Sequence, residues 1–248
     1  MARLFTATSD KVSFGDTPSF DAITKGTWAG WFYATSLADG IMWGKWGGSS
    51  SNQAFLIETK NSNSAFSFAV RDDFEVLLVK QGYNLLATHQ WMHLAFVWSG
   101  ANNLAIYKNG VSRTITNINN NSPVNVRTIT AVETFGVPDT PASATLGAYE
   151  FWGAWKDALS AGEVGKLAQG ADPATIRPAA CLALPTFDRQ GVVFDRRRQI
   201  VAKPTGTRPF TNPPIIMPRR RVAGTFAGTS PPPSNTNYLM PLLGVGDD

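Results

Sequence analysis

QWMHLAFVWSGANNLAIYKNG, residues 90–110, decides the fold. From Trp91 to Trp98 the side chains of Met92, Leu94, Phe96 and Trp98 share one face of an extended chain, and those of Trp91, His93, Ala95 and Val97 share the other. The first face is wholly apolar and the second is mixed, which predicts a strand with one side on a core and the other half covered. Ser99 to Asn103 supplies turn residues, Leu104 to Lys108 resumes the extended pattern, and Asn109-Gly110 is the dipeptide favoured where a type I′ hairpin needs two positive φ angles. With Val111 to Ile115 as the returning strand, the stretch is a meander of three antiparallel strands.

The surrounding sequence continues in the same manner. Short strands are expected at Arg3 to Ala7, Lys11 to Phe14, Thr27 to Ala34, Gly40 to Lys45, Ala54 to Glu58, Ala65 to Arg71 and Glu75 to Val79. Further ones are expected at Thr128 to Phe135, Ala144 to Ala148 and Glu150 to Trp155. Turn-forming residues at Gly15 to Pro18, Leu37 to Gly40 and Gly47 to Asn52 separate several of them. Ser160-Ala-Gly-Glu163 is a capping box with Leu159 and Val164 as a hydrophobic staple, so a short helix is predicted from residue 161 to Gln169, stopping at Gly170.

Composition divides the 248 residues. All eight Trp precede residue 156, whereas ten of the sixteen Pro come after residue 184. Residues 179–248 hold nine Lys+Arg against four Asp+Glu, so the net charge of +4 is concentrated there. This predicts a body, 1–178, and a basic Pro-rich arm, 179–248, that anchors it to a partner. Cys181 is the single cysteine and cannot form an internal disulfide, which fits a reducing compartment. The first residues show no apolar signal-peptide core, and no run approaches 18 apolar residues, so neither general secretion nor membrane insertion is expected.

The series KVSFGDTPSF, GTWAGWFYATS, IMWGKWG, FLIET, FSFAV, QWMHLAFVW, LAIYKNGV and LGAYEFWGAWKDALSAGEVGKL resembles a laminin G-like domain of the concanavalin A-like lectin and glucanase superfamily. Trp91-Met92-His93, Tyr107-Lys108-Asn109-Gly110 and Ala158-Leu159-Ser160 with Glu163 stand where that family carries its motifs. The resemblance covers about residues 3–173. It implies an all-β, concanavalin A-like jelly-roll sandwich of two antiparallel sheets with one short helix, here continued by an extended C-terminal arm. Such domains bind sugars, lipids or proteins. The segment PTFDRQGVVFDRRRQIVAKPTGTRPFTNPPIIMPRRR resembles the tail attached C-terminally to this domain in many phage and environmental proteins. That implies a non-enzymatic virion structural protein, a capsid decoration or head-surface protein of a tailed phage assembled in the host cytoplasm. The alternatives are a carbohydrate-binding lectin or tail or fibre adhesin, and third a glycoside hydrolase.

Few residues offer chemistry. Glycosidases of the superfamily set carboxylates on alternate residues of a strand. Asp73-Phe74-Glu75, with Asp72 before it, is the nearest pattern, but a charged turn explains it better and no catalytic residue is assigned. Asp39, Asp72, Asp73 and Asp139 could reach a calcium-binding rim, although no dense Asx loop supports a metal and no cofactor is expected. His89 and His93, four apart, lie roughly 13 Å apart on a strand, too far to share a metal. Trp43 and Trp46 flank Gly44 before a polar loop and are candidates for sugar stacking, with at least one read as core. Asn102, Asn103 and Asn117 to Asn121 offer amides to sugar hydroxyls or serve as turn formers. Arg196, Arg197 and Arg198, with Arg219, Arg220 and Arg221, suit docking on an acidic surface of a capsid or other virion protein, more than on nucleic acid. A homo-oligomer and surface glycans complete the expected partners, with no membrane.

Overall fold

A computed structural model describes residues 2–137, 144–187, 193–202, 204–211 and 213. In chain order the strands are β1 (Ala2–Phe5), β2 (Lys11–Asp16), β3 (Gly26–Ala34), β4 (Gly40–Trp46), β5 (Gln53–Lys60), β6 (Ala65–Arg71), β7 (Leu77–Gly82), β8 (Trp91–Trp98), β9 (Leu104–Lys108), β10 (Val111–Arg113), β11 (Thr116–Asn120), β12 (Val132–Gly136) and β13 (Gly147–Trp155). Helix α1 (Ala161–Ala168) comes next, then β14 (Cys181–Ala183), β15 (Pro185–Thr186), β16 (Val193–Asp195), β17 (Ile200–Ala202), β18 (Pro204–Thr205) and β19 (Arg208–Phe210). One antiparallel sheet runs β10-β9-β8-β3-β13-β1-β19, with β14 on β13. The other runs β11-β7-β6-β5-β4-β12-β2-β18, and β15-β16-β17 form a small third sheet. The fold is the expected all-β sandwich with one short helix.

Strand β8 behaves as its alternation predicts. Met92, Leu94, Phe96 and Trp98 are fully buried and face the opposite sheet, where Phe96 stacks on Phe68 at 5.8 Å. Ala95 and Val97, on the other face, lie under α1 and pack with Trp155, Leu159, Val164 and Leu167. Asn109 and Gly110 both have positive φ, 54° and 79°, as the hairpin requires. The Asn109 side chain accepts the His93 amide at 2.9 Å, tying the turn to the strand. The capping box of α1 forms as expected, and Arg177 bonds the same Glu163 at 2.6 Å. That Arg177 contact holds the Glu163 carboxyl down at about 2.

Several boundaries differ from expectation. The two strands predicted across 144–155 are one strand, β13, interrupted by a bulge between Glu150 and Gly153. Phe151 there takes φ +51° and Trp152 turns inward over Gly30, where only a residue without Cβ leaves room for the indole. Glu75, with φ +64°, belongs to a turn, so β7 starts at Leu77. Likewise β12 starts at Val132, because Thr128 donates its amide to Asp73 Oδ1 at 2.9 Å. The third strand of the meander, β10, stops at Arg113, short of Ile115.

The larger correction concerns the domain boundary at 178/179. The described residues between 181 and 210 are no extended arm: β14 extends one sheet, β18 pairs with β2, and β19 pairs with β1. Ala183, Phe187, Val193 and Ala202 join the main core. The first compact unit runs to Met217, well beyond the predicted end. The fastener is polar, which is why hydrophobic patterning misses it. Arg198, whose side chain is 9% exposed, bonds both oxygens of Glu133, from NH1 to Oε2 and from NH2 to Oε1 at 3.2 Å. Its Nε and NH2 also meet Asp195 Oδ2 at 2.8 and 2.7 Å. Asp195 Oδ1 accepts the amides of Arg197 and Arg198 at 2.9 Å and of Leu184 at 3.2 Å. The guanidinium lies 5.1 Å from the Phe14 ring centre and 5.7 Å from that of Phe20.

Two outcomes are expected. Arg198→Ala leaves two fully buried carboxylates without their cation and should cost about 3–5 kcal/mol in denaturant unfolding. The second concerns His93, whose imidazole is buried against Trp31, has no partner for Nδ1 among the described residues, and is pushed by burial down to about 3. A group neutral in the fold and titrating near 6.5 when unfolded contributes stability present above pH 6.5 and lost as pH falls towards 3. Unfolding free energies from urea denaturation between pH 7 and 4 should therefore fall more steeply in the native chain than in His93→Phe, the difference approaching ~1.4 kcal/mol per pH unit below pH 6.5.

Candidate functional site

Loops gather at one end of the sandwich, and hydrogen bonds join them into a single rim. Val126 exchanges backbone bonds with the 22–23 segment, at 2.9 Å to the Ala22 amide and 2.7 Å to the Ile23 carbonyl. Arg127 donates to Ser50 O at 3.2 Å and pairs with Glu75 at 2.5 Å, so loops 47–52, 72–76 and 121–131 meet at one guanidinium. Lys80, inward-facing between Leu78 and Gly82 on β7, reaches across to the Asn102 carbonyl in the β8–β9 loop. Burial lowers the pKa of that ammonium.

Carboxylates at this rim are occupied by the loops themselves. Asp72 Oδ1 accepts the amides of Phe74 and Val76 at 2.9 and 2.8 Å, and its Oδ2 accepts that of Val124 at 3.1 Å. Asp73 holds Asn125 Nδ2 at 2.7 Å as well as the Thr128 amide. Glu75 bridges Arg71 and Arg127. These residues stand in the turn between β6 and β7, where no common strand face aims two carboxylates at a bond. Asp39 is elsewhere, accepting the Asn61 amide at 2.6 Å. Among the described residues no group of three or more His, Cys, Asp and Glu is placed to hold a metal ion. Asp139 lies outside the described residues.

A groove of about 400 Å³ opens beside the β8–β9 loop. Val97, Leu104 and Leu159 give it an apolar floor, and Tyr107, Asn103, Ser99, Ser160 and Lys80 line it with an aromatic ring, an amide, two hydroxyls and an amine. Of the sequence-predicted residues, Asn103 is exposed at the groove and Asn102 contributes its carbonyl to Lys80. The edge strand β11 carries Asn117, Asn119 and Asn120 along β7. Lys80 and Tyr107 line the groove as well, although the sequence does not single them out. The signal for the first is a lysine alternating with core positions, which lies one residue beyond the expected strand end at Val79.

Trp43 is corrected. It is fully buried, stacks on Phe135 at 4.5 Å and donates its indole N–H to Glu133 at 2.9 Å, so it offers no face to a sugar. Trp46 is half-buried over Ile41, Leu56 and Ala69 on the outer face of its sheet. Arg198 is corrected too, since both partners of its guanidinium are internal. Arg196 and Arg197 remain exposed: Arg196 lies 3.7 Å from Asp172, and Arg197 Nε donates to Cys181 O at 3.0 Å. Arg219, Arg220 and Arg221 lie outside the described residues. His89 is exposed at a positive φ of 59°, and His93 is a buried core residue.

Comparison with known proteins bears on this geometry. No curated protein matches the sequence. Among solved structures, a candidate carbohydrate-binding protein from Bacteroides ovatus superposes with TM-score 0.60 at 14% identity, over 84% of this chain and 59% of its own, so this chain spans under two thirds of that protein. The heptameric SAP-like pentraxin of Limulus polyphemus gives 0.50 at 14% identity over 83% and 95%. The CBM40 of the Ruminococcus gnavus IT-sialidase, bound to alpha2,3 sialyllactose, gives 0.50 at 16% identity over 67% and 96%. At such identities these likenesses establish a shared fold. The laminin G-type family model described as the concanavalin A-like lectin/glucanases superfamily matches residues 6–165, and the chain belongs to that superfamily.

Proposed function

We propose that this protein is a non-catalytic, lectin-like binding module that takes glycans in the groove beside the β8–β9 loop. The observation that carries this reading is the pairing of that groove with carboxylates already committed as loop fasteners. An aromatic ring over an apolar floor suits the C–H face of a sugar, and the surrounding amide, hydroxyls and amine suit its hydroxyls. The relatives from Bacteroides and Ruminococcus, one a candidate carbohydrate binder and the other a sugar-bound module, agree with such a use. Binding needs no metal, since the groove presents its own donors and acceptors.

The setting we propose is the surface of a virion, with the lectin-like sandwich displayed on the capsid or tail of a phage. Its support is sequence: beyond Phe210 the chain holds seven of the sixteen Pro and the single basic run Arg219-Arg220-Arg221, which suits an anchor on an acidic protein surface. Strands β14, β18 and β19 serve the sandwich instead.

Glycan-array screening and then titration tests the groove. Tyr107→Ala should keep the fold and weaken the best glycan at least about tenfold, equivalent to roughly 1.4 kcal/mol. Binding should be unchanged by a chelator, and no product of glycoside hydrolysis should accumulate. Undiminished binding by Tyr107→Ala would place the ligand elsewhere.

A further inference from the structure

The rim fasteners have an unusual product. Loop 72–76 is held by the bonds of Asp72, Asp73 and Glu75, yet the residue at its tip, Phe74, is 74% exposed. Val124, bonded through its amide to Asp72, is 57% exposed. Large apolar side chains standing on a cross-braced turn lose little conformational freedom on docking, which is the character of an interface anchor. The flanks are acidic at the surface: Asp73 is exposed and Glu75 is 46% exposed, while their neighbours Arg71 and Arg127 are drawn in beneath them.

A seat of matching chemistry exists on the same chain. Ala174, Pro178, Cys181 and Leu184 form a pocket of about 190 Å³ whose rim is Arg196 and Arg197, both exposed. The Cys181 thiol in its wall is raised to about 11, chiefly by burial and secondarily by Asp195, so it acts as a small apolar surface. Knob and pocket share no residue.

From this complementarity we propose that the chain assembles head to tail, the Phe74 knob of one copy entering the Arg196–Arg197 pocket of the next, with the lone pairs that Asp73 and Glu75 keep beyond their loop bonds facing the two arginines, whose present partners, Asp172 for Arg196 and the Cys181 carbonyl for Arg197, leave N–H donors free. Such a heterologous contact yields a ring if the rotation closes and a filament if it does not. It also returns Arg196 and Arg197 to partner binding, with a second copy of this chain as the partner. The inference stands independently of glycan binding in the Tyr107 groove.

Sedimentation velocity on the full chain across increasing concentration, at low and high salt, is the test. The native chain should form dimers and larger species that dissociate at high salt, because the charged rim is screened. Phe74→Ser, at an exposed position, should stay monomeric with unchanged circular dichroism, and so should Ala174→Trp, which fills the pocket. Mixing the two variants should restore one productive contact and stop at dimers. Arg196→Glu combined with Arg197→Glu, outside the core, should weaken assembly at least about tenfold. A native chain that stays monomeric at every concentration, Phe74→Ser that assembles like the native chain, or a mixture that stays monomeric overturns the proposal. So does a monomeric native chain that binds neutral phosphatidylcholine vesicles through Phe74, which would make the knob a membrane anchor.

Discussion

The pairing of Arg198 with Glu133 is the constraint on which the rest depends. Glu133 sits on β12 between β4 and β2, fully buried, opposite Lys45 in register. An isolated carboxylate there would be prohibitive, so the fold must deliver cations to it. Arg198 comes from a segment 65 positions downstream in sequence, and Trp43 adds its indole N–H. Lys45, equally buried, is met by Asp16 at 2.9 Å and Asp21 at 2.7 Å. Ion pairs of this kind add little net stability over apolar packing of equal volume, yet removing one partner is severe. Their effect is to specify: the register that brings Arg198 over Phe14 and Phe20 gives both Glu133 and Asp195 their cation, and that register docks β14 to β19.

With its C-terminal strands so fixed, the sandwich leaves loops to function. The carboxylates of the 72–76 turn are engaged by backbone amides, the Asn125 side chain and two arginines. The outcome is a stiff rim, an open polar groove on one side of it, and an aromatic tip. Stiffness favours recognition, because a loop already held in place loses less freedom when a ligand arrives. Superfamily membership alone selects none of these uses.

Much of this was legible in the sequence. Alternation in 91–98, the Asn-Gly turn and the Ser160–Glu163 box are local rules, and each appears as written. The end of the domain was not legible, because β14 to β19 are strands of two or three residues, too short to show a period, and their fastening is a long-range ion pair. Arg196-Arg197-Arg198 read as a uniform basic run, whereas the structure buries the third and exposes the first two. Trp43 and Trp46 differ: an odd spacing of three on one strand already places them on opposite faces, and only the sheet pairing shows that Trp43 is the one facing the core. The groove was half visible, through Asn102 and Asn103, while Lys80 and Tyr107 arrive from strands whose mutual placement only the fold defines.

Native-state hydrogen exchange measured residue by residue tests most directly whether residues 181–210 belong to the sandwich. The amides of Arg197 and Arg198, bonded to Asp195, and those pairing β16 with β17 should exchange only through global unfolding, with the same free energy as those of Leu94 and Phe96 in β8. Exchange of the former through a smaller opening, while β8 stays protected, would contradict the account and make the C-terminal strands a detachable addition.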